Sequence, residues 1–92
     1  MNQILLDQII AYSRQKGFRL AKKRVAVAMA LNQIDTDTDA DSLWIFLRRQ
    51  YPRISRGTVY LALQWLTNAG ISQRTVRQDR TSIYRLARAA CL

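Results

Sequence analysis

The 92-residue chain has no histidine and no glutamate, and its one cysteine is Cys91. Each absence closes off a class of chemistry. Without histidine there is no Ser-His-Asp or Cys-His nucleophile pair. A Cys/His metal cluster and an internal disulfide framework are excluded as well. Six aspartates are the only acidic side chains, and four of them crowd into residues 35–41. That leaves few groups for general acid–base work, so neither catalysis nor a cofactor is expected. No apolar run approaches the ~20 residues of a membrane-spanning helix. The opening MNQILLDQII has no basic n-region and carries Asp7, unlike a signal peptide. A reduced, cytoplasmic, bacterial-type setting close to the nucleoid fits these features.

What the chain has is a core's worth of apolar residues and a lopsided charge. Hydrophobic residues make up 49% of the sequence, and the length suits one small domain. The net charge is +9. Residues 1–46 hold six basic and five acidic side chains, whereas residues 47–92 hold nine arginines and a single acid, Asp79. Arginine offers a planar fork of donors that suits phosphate and guanine edges. A merely solvated surface mixes both signs, so this bias points to a polyanion partner. The arginines flank apolar segments that read as core, so a membrane surface is not the expected partner. Nothing points to a small-molecule substrate.

Periodicity predicts four helices and then a hairpin. Leu5, Leu6, Ile9, Ile10 and Tyr12 make a helical stripe over 3–16, closed by Gly17. A second helix covers 22–32, with Val25, Val27, Ala28, Met29 and Leu31 packing; Ala21 is a poor cap for it. After a polar loop at 33–38, Asp39 caps a third helix over 40–50, which Pro52 ends. Ser55 caps a fourth helix over 56–69, and Gly70 closes it. Residues 71–76 and 81–86 are rich in β-branched and aromatic residues, with the polar turn Arg77-Gln78-Asp79-Arg80 between them. The expected fold is mainly α with a C-terminal β-hairpin: a winged helix-turn-helix of four helices and a two-stranded wing over 1–86, then a tail at 87–92. A lone hairpin is unstable in water, so the wing must dock on the helices.

Two segments invite chemical readings. Asp35, Asp37 and Asp39 match the first ligand positions of a calcium loop, but Ala40 and Phe46 stand where glycine and a bidentate glutamate are required. No metal is therefore expected, and the aspartates are read as a solvated loop with helix-capping acids. The fourth helix is more informative. Val59, Ala62, Leu63 and Leu66 share its core face, while Arg56, Gly57, Tyr60, Leu61, Gln64 and Asn68 fall away from it. The small start Ser55-Arg56-Gly57-Thr58 lets the helix N-terminus approach a phosphate backbone. Thr58, Tyr60 and Gln64 then reach base edges in a major groove. Trp44 and Trp65 are read as packing. Arg53 and Arg56 flank the helix start, and Arg74, Arg77 and Arg80 equip the wing for phosphates or a minor groove. Lys16, Arg19, Lys22, Lys23 and Arg24 form a second basic patch.

These residues resemble the N-terminal DNA-binding domain of the ferric uptake regulator family. Gly17-Phe18-Arg19-Leu20-Ala21 with Arg24 is similar to that family's Gly-apolar-basic-apolar-Thr segment followed by Arg. Asp39-Ala40-Asp41-Ser42-Leu43-Trp44 resembles its Ser-Ala-Glu-Glu-Leu-Tyr helix start. Ile54-Ser55-Arg56-Gly57-Thr58-Val59-Tyr60, with Leu63, Leu66 and Ala69-Gly70-Ile71, resembles its recognition helix and exit. The resemblance covers about residues 4–86. It implies a winged helix on duplex DNA, with Arg19 reaching the minor groove and Tyr60 meeting bases or backbone. It departs at Leu61, where the family has arginine, and at Ala21. The family's dimerisation and metal-sensing domain has no counterpart in these 92 residues, so metal sensing is not carried over.

The expected function is sequence-specific binding of double-stranded DNA by a small transcription regulator. Tight binding would call for a homodimer on a palindrome or a protein partner, and the Ile- and Leu-rich first helix is a candidate dimer surface. The alternative is a winged-helix adaptor or anti-regulator that binds another protein, which Leu61 on the reading face favours.

Overall fold

The computed structural model describes residues 3–16, 22–34 and 36–87. Four helices, α1 (Gln3–Lys16), α2 (Lys22–Ile34), α3 (Ala40–Arg48) and α4 (Arg56–Asn68), surround one core. The strands β1 (Thr38–Asp39), β2 (Ser72–Val76) and β3 (Ser82–Leu86) form an antiparallel sheet in the order β1-β3-β2. Leu5 and Ile9 of α1, Val27 and Leu31 of α2, Leu43 and Leu47 of α3, and Val59, Leu63 and Leu66 of α4 are buried together. Ile54, Ile71 and Tyr84 close this core from the turn and the sheet. The expected winged helix-turn-helix stands. Gly17, Ala21 and the tail from 88 onward lie outside the described residues.

The wing has one more strand than expected. Residues 33–38 read as loop, yet Thr38 pairs with Tyr84 and Asp39 with Ile83. Two residues are too few to display a period of two, and only β3 supplies the partner that makes them a strand. The third helix also stops at Arg48 rather than 50. The Leu47 carbonyl accepts from both Gln50 N–H (3.1 Å) and Tyr51 N–H (2.9 Å), and Pro52 has no N–H with which to continue.

Capping fixes the helix ends. Asp39 accepts from Ser42 N–H at 3.3 Å at the start of α3, and Ser55 accepts from Thr58 N–H at 3.1 Å at the start of α4. Helix α4 ends in a Schellman arrangement: Ile71 N–H donates to Leu66 O and Gly70 N–H to Thr67 O. Gly70 has φ 76°, and a Cβ built there meets nothing within 4 Å. The cost of a side chain at this position is therefore conformational and not steric.

Gly70→Ala is expected to lower unfolding stability by about 1 kcal/mol, with Gly70→Asn losing less; equal stability of all three proteins in urea would refute the left-handed cap. Hydrogen bonding from Ser42 holds the Asp39 carboxyl below its ordinary value. Its contribution is therefore complete above the ordinary carboxylate range and fades as pH falls through the lowered value. Asp39→Ala should cost about 1 kcal/mol at neutral pH, and the gap to the wild type should close in acid. A pH-independent gap would show that the carboxylate is not the cap.

Candidate nucleic-acid interface

Core packing sets the roll of α4. Val59, Leu63 and Leu66 are fully buried and Ala62 nearly so, so the helix turns Arg56, Gly57, Tyr60, Leu61, Gln64 and Asn68 outward. Tyr60 is 50% exposed and Leu61 68% exposed. At the helix start the Ser55 and Thr58 hydroxyls hydrogen-bond each other at 2.9 Å, and Thr58 is half-buried. A Cβ at Gly57 would meet only Ser55 Oγ, at 3.8 Å, so this end of the helix is open to a close approach. The segment does so without an acidic residue in its first turn.

Trp44 organises the arginines at the front of this surface. Its indole Nε1–H donates to the Ile54 carbonyl at 2.9 Å, tying α3 to the turn before α4. The guanidinium of Arg48 lies 4.7 Å from the ring centroid and that of Arg56 4.5 Å. Each such contact contributes about 0.5–1 kcal/mol at an exposed site. Arg56 Nε also lies 3.5 Å from Asp41 Oδ1, with both side chains 68% exposed. An ion pair that exposed stabilises little. Arg56 is thus held in place, yet available to a stronger anion.

The wing carries its arginines differently. Arg74 Nε–H donates to Ser82 Oγ at 3.0 Å, while Arg77 and Arg80 are exposed at the tip. Arg77 N–H donates to Thr81 O and Arg80 N–H to Arg77 O, both at 2.9 Å, and Arg80 sits at φ 69°. This is a three-residue hairpin loop whose last position glycine normally occupies. Asp79 accepts from Thr81 N–H at 3.0 Å, and that bond holds its carboxyl below the ordinary value. The one acid of the wing is therefore engaged in closing the turn. Arg85 pairs with Asp37 at 3.8 Å. With Asp39 at a cap and Asp41 beside Arg56, Asp37, Asp39 and Asp41 have separate partners and do not converge on a cation.

Lys22 and Lys23, at the start of α2, and Arg53, in the turn before α4, are exposed as the surface reading requires. Arg24, also of the second basic patch, is partly buried: its guanidinium stacks 4.1 Å over Trp65, and burial pulls it below its ordinary value. The Tyr12 ring meets Trp65 edge-on at 5.0 Å. Trp65 thus joins α1, α2 and α4 behind the exposed face, in line with its reading as packing. Arg19 lies outside the described residues. The i, i+4 spacing of Trp44 and Arg48 hints at half of the arginine platform that Trp44 forms; the approach of Arg56 is tertiary.

Comparison with known proteins adds to this geometry. The sequence model of the Ferric uptake regulator family matches residues 15–91. The peroxide-responsive repressor PerR of Staphylococcus aureus is 31% identical over 77 residues, which cover 84% of this chain and 52% of that protein. The chain spans about half the length of the curated relatives it matches. The Helicobacter pylori ferric uptake regulator, described as having three functional metal binding sites, superposes with a TM-score of 0.86 at 18% identity, over 92% of this chain and 57% of its own. PerR from Streptococcus pyogenes, described in terms of peroxide sensing and gene regulation, gives a TM-score of 0.74 at 25% identity, over 85% of this chain and 54% of its own. The residues here do not suit such metal sites: the sequence has no histidine, and among the described residues no three His, Cys, Asp or Glu side chains gather.

The hairpin geometry yields a prediction. Arg80→Gly should raise unfolding stability by about 0.5–1 kcal/mol by relieving the left-handed backbone, even though it removes a surface cation. Thermal melts showing no gain would mean that the turn holds arginine without strain.

Proposed function

The chain belongs to the ferric uptake regulator family, whose members are DNA-binding transcription regulators and not enzymes, and we propose that it binds double-stranded DNA sequence-specifically through α4 and the wing. One observation supports this above the rest: the face of α4 left outside by the core carries Arg56, Tyr60, Gln64 and Asn68 beside Leu61, and it opens onto the same side as the wing arginine Arg74. In this reading Ser55 and the N–H groups of the first turn of α4 approach one phosphate, with Arg53 and Arg56 beside them. Thr58, Tyr60 and Gln64 address base edges in the major groove. Arg77 and Arg80 follow the backbone or enter the minor groove, as Arg74 does at the wing's base. Lys22 and Lys23 add a second set of phosphate contacts, and Arg19 is assigned to the minor groove by resemblance alone.

A single module of this kind covers on the order of 600–1,000 Å². Tight, specific regulation then calls for a second copy or a protein partner on the same site. Metal sensing is no part of the proposal, because the donor set of this chain does not suit it. A protein-binding winged helix is the second reading, and the 68% exposure of Leu61 favours it. On duplex DNA the same side chain meets a thymine methyl.

Fluorescence anisotropy on a labelled duplex tests the proposal. Arg56→Ala with Tyr60→Ala should weaken binding at least tenfold, on the order of a charged hydrogen bond or more. The log affinity against log salt should become shallower by about 0.9 as one phosphate contact goes. Asp41→Asn should tighten binding severalfold at low salt by releasing Arg56. Unaltered duplex binding by the double variant would defeat the assignment of α4 as the reading element.

A further inference from the structure

Between the outer face of α4 and the sheet lies a cleft of about 270 Å³, lined by Tyr60, Gln64, Thr67 and Asn68 of α4, Arg74 of β2 and Tyr84 of β3. We propose that this cleft is a binding site for one phosphate of the DNA backbone, with Asn68, Arg74 and Tyr84 as its donors. The inference rests on the duplex-binding reading above. It adds to the site two residues, Asn68 and Tyr84, that the helix and wing assignments did not include.

The lining is a set of donors with no carboxylate. Arg74 brings the formal positive charge, and Gln64, Asn68 and the two tyrosine hydroxyls bring neutral donors. Arg74 and Tyr84 are cross-strand partners, so their side chains share one face of the wing. The Arg74 Nε–H donates to Ser82 Oγ at 3.0 Å and its side chain also hydrogen-bonds Tyr84, which orients the guanidinium along the cleft. Thr67 is committed elsewhere: its hydroxyl donates to Leu63 O at 2.8 Å and hydrogen-bonds Ser72 at 2.9 Å. Tyr84 as a residue is only 4% exposed, so its ring is fixed by the core and its hydroxyl does not wander. Burial, and then its neighbour Tyr60, raise that hydroxyl above the ordinary phenol value, against the opposing pull of Arg74 and Ser82.

The cleft lies by the C-terminal end of α4, where free carbonyls repel an anion. Here Ala69, Gly70 and Ile71 N–H groups donate to Trp65, Thr67 and Leu66 carbonyls, so the helix end is capped. The location also suits a phosphodiester. With α4 in the major groove and the wing tip on the next groove, the strand that separates the two grooves crosses between them. An amide pair such as Gln64 and Asn68 also matches adenine, but the full charge of Arg74 and the absence of any carboxylate favour phosphate.

The test uses the full chain with Asn68→Ala, Tyr84→Phe and Arg74→Gln, each melted first to show that it folds. Binding to a cognate and to a scrambled duplex is measured over a salt series. The expected result is a loss of about tenfold for Asn68→Ala and Tyr84→Phe and ten- to a hundredfold for Arg74→Gln. The loss should be equal on both duplexes, and Arg74→Gln should flatten the salt slope by about 0.9. A neutral methylphosphonate at one backbone position should weaken the wild type similarly and cost Tyr84→Phe nothing more. Sequence-dependent losses would assign the cleft to a base edge, and additivity of Tyr84→Phe with every methylphosphonate would remove the contact; either overturns the proposal. So would saturation by inorganic phosphate, seen in NMR shifts of Asn68 and Tyr84, that leaves duplex affinity unchanged, since the site would then serve a free anion. If the wild type binds no duplex, the underlying DNA reading falls with it. If the duplex binds and the variants are indifferent, only the cleft assignment falls.

Discussion

The structure turns on the rotational setting of one thirteen-residue helix. Val59, Ala62, Leu63 and Leu66 recur at the spacing of a single α-helical face, and all four are buried. Rolling α4 by one residue, about 100°, would bring Tyr60 or Arg56 into the core and expose two leucines or a valine. Burying a charged guanidinium without a partner costs several kcal/mol, and exposing a leucine forfeits about 1.5–3 kcal/mol. The helix therefore has one stable roll, and its outer face is fixed by its inner one.

The two tryptophans support this helix from opposite sides by the same kind of contact. Trp65, on α4 itself, takes Tyr12 edge-on and Arg24 on its face, so an arginine is used as packing between helices. Trp44, on α3, takes Arg48 and Arg56 near its ring and ties the intervening turn through its indole N–H. In the first case the cation is partly withdrawn from solvent. In the second it is kept at the surface with some of its rotamer freedom already removed, which lessens the entropy lost when it meets a ligand. The same pair of residue types thus does structural work behind the helix and preparatory work in front of it.

Much of this is legible in the residues. Helix α4 announces itself through Ser55, the apolar spacing and Gly70, because each of those signals is local. The roll of the helix follows from the same pattern, and with it the exposure of Arg56, Tyr60 and Gln64. What escapes are features made by distant partners. Thr38–Asp39 becomes a strand only because β3 arrives alongside, and Arg24 is partly buried because Trp65, forty-one positions on, offers a ring. The cleft lined by Asn68 and Tyr84 joins two elements whose juxtaposition no local period encodes. Short-range chemistry names the elements; the contacts between them remain tertiary facts.

The order of the sheet carries a consequence of its own. With β3 in the middle, β2 is left as an open margin, and four of its five residues are exposed. Such a margin is a template for strand addition, the first step toward amyloid-like association. Arg74 within the strand and Arg77 just beyond it set cations along that margin, so two molecules approaching edge to edge meet mutual repulsion. A polyanion that neutralised those guanidinium groups would also quiet the repulsion, and the colloidal behaviour of the protein would then depend on how much of it is bound.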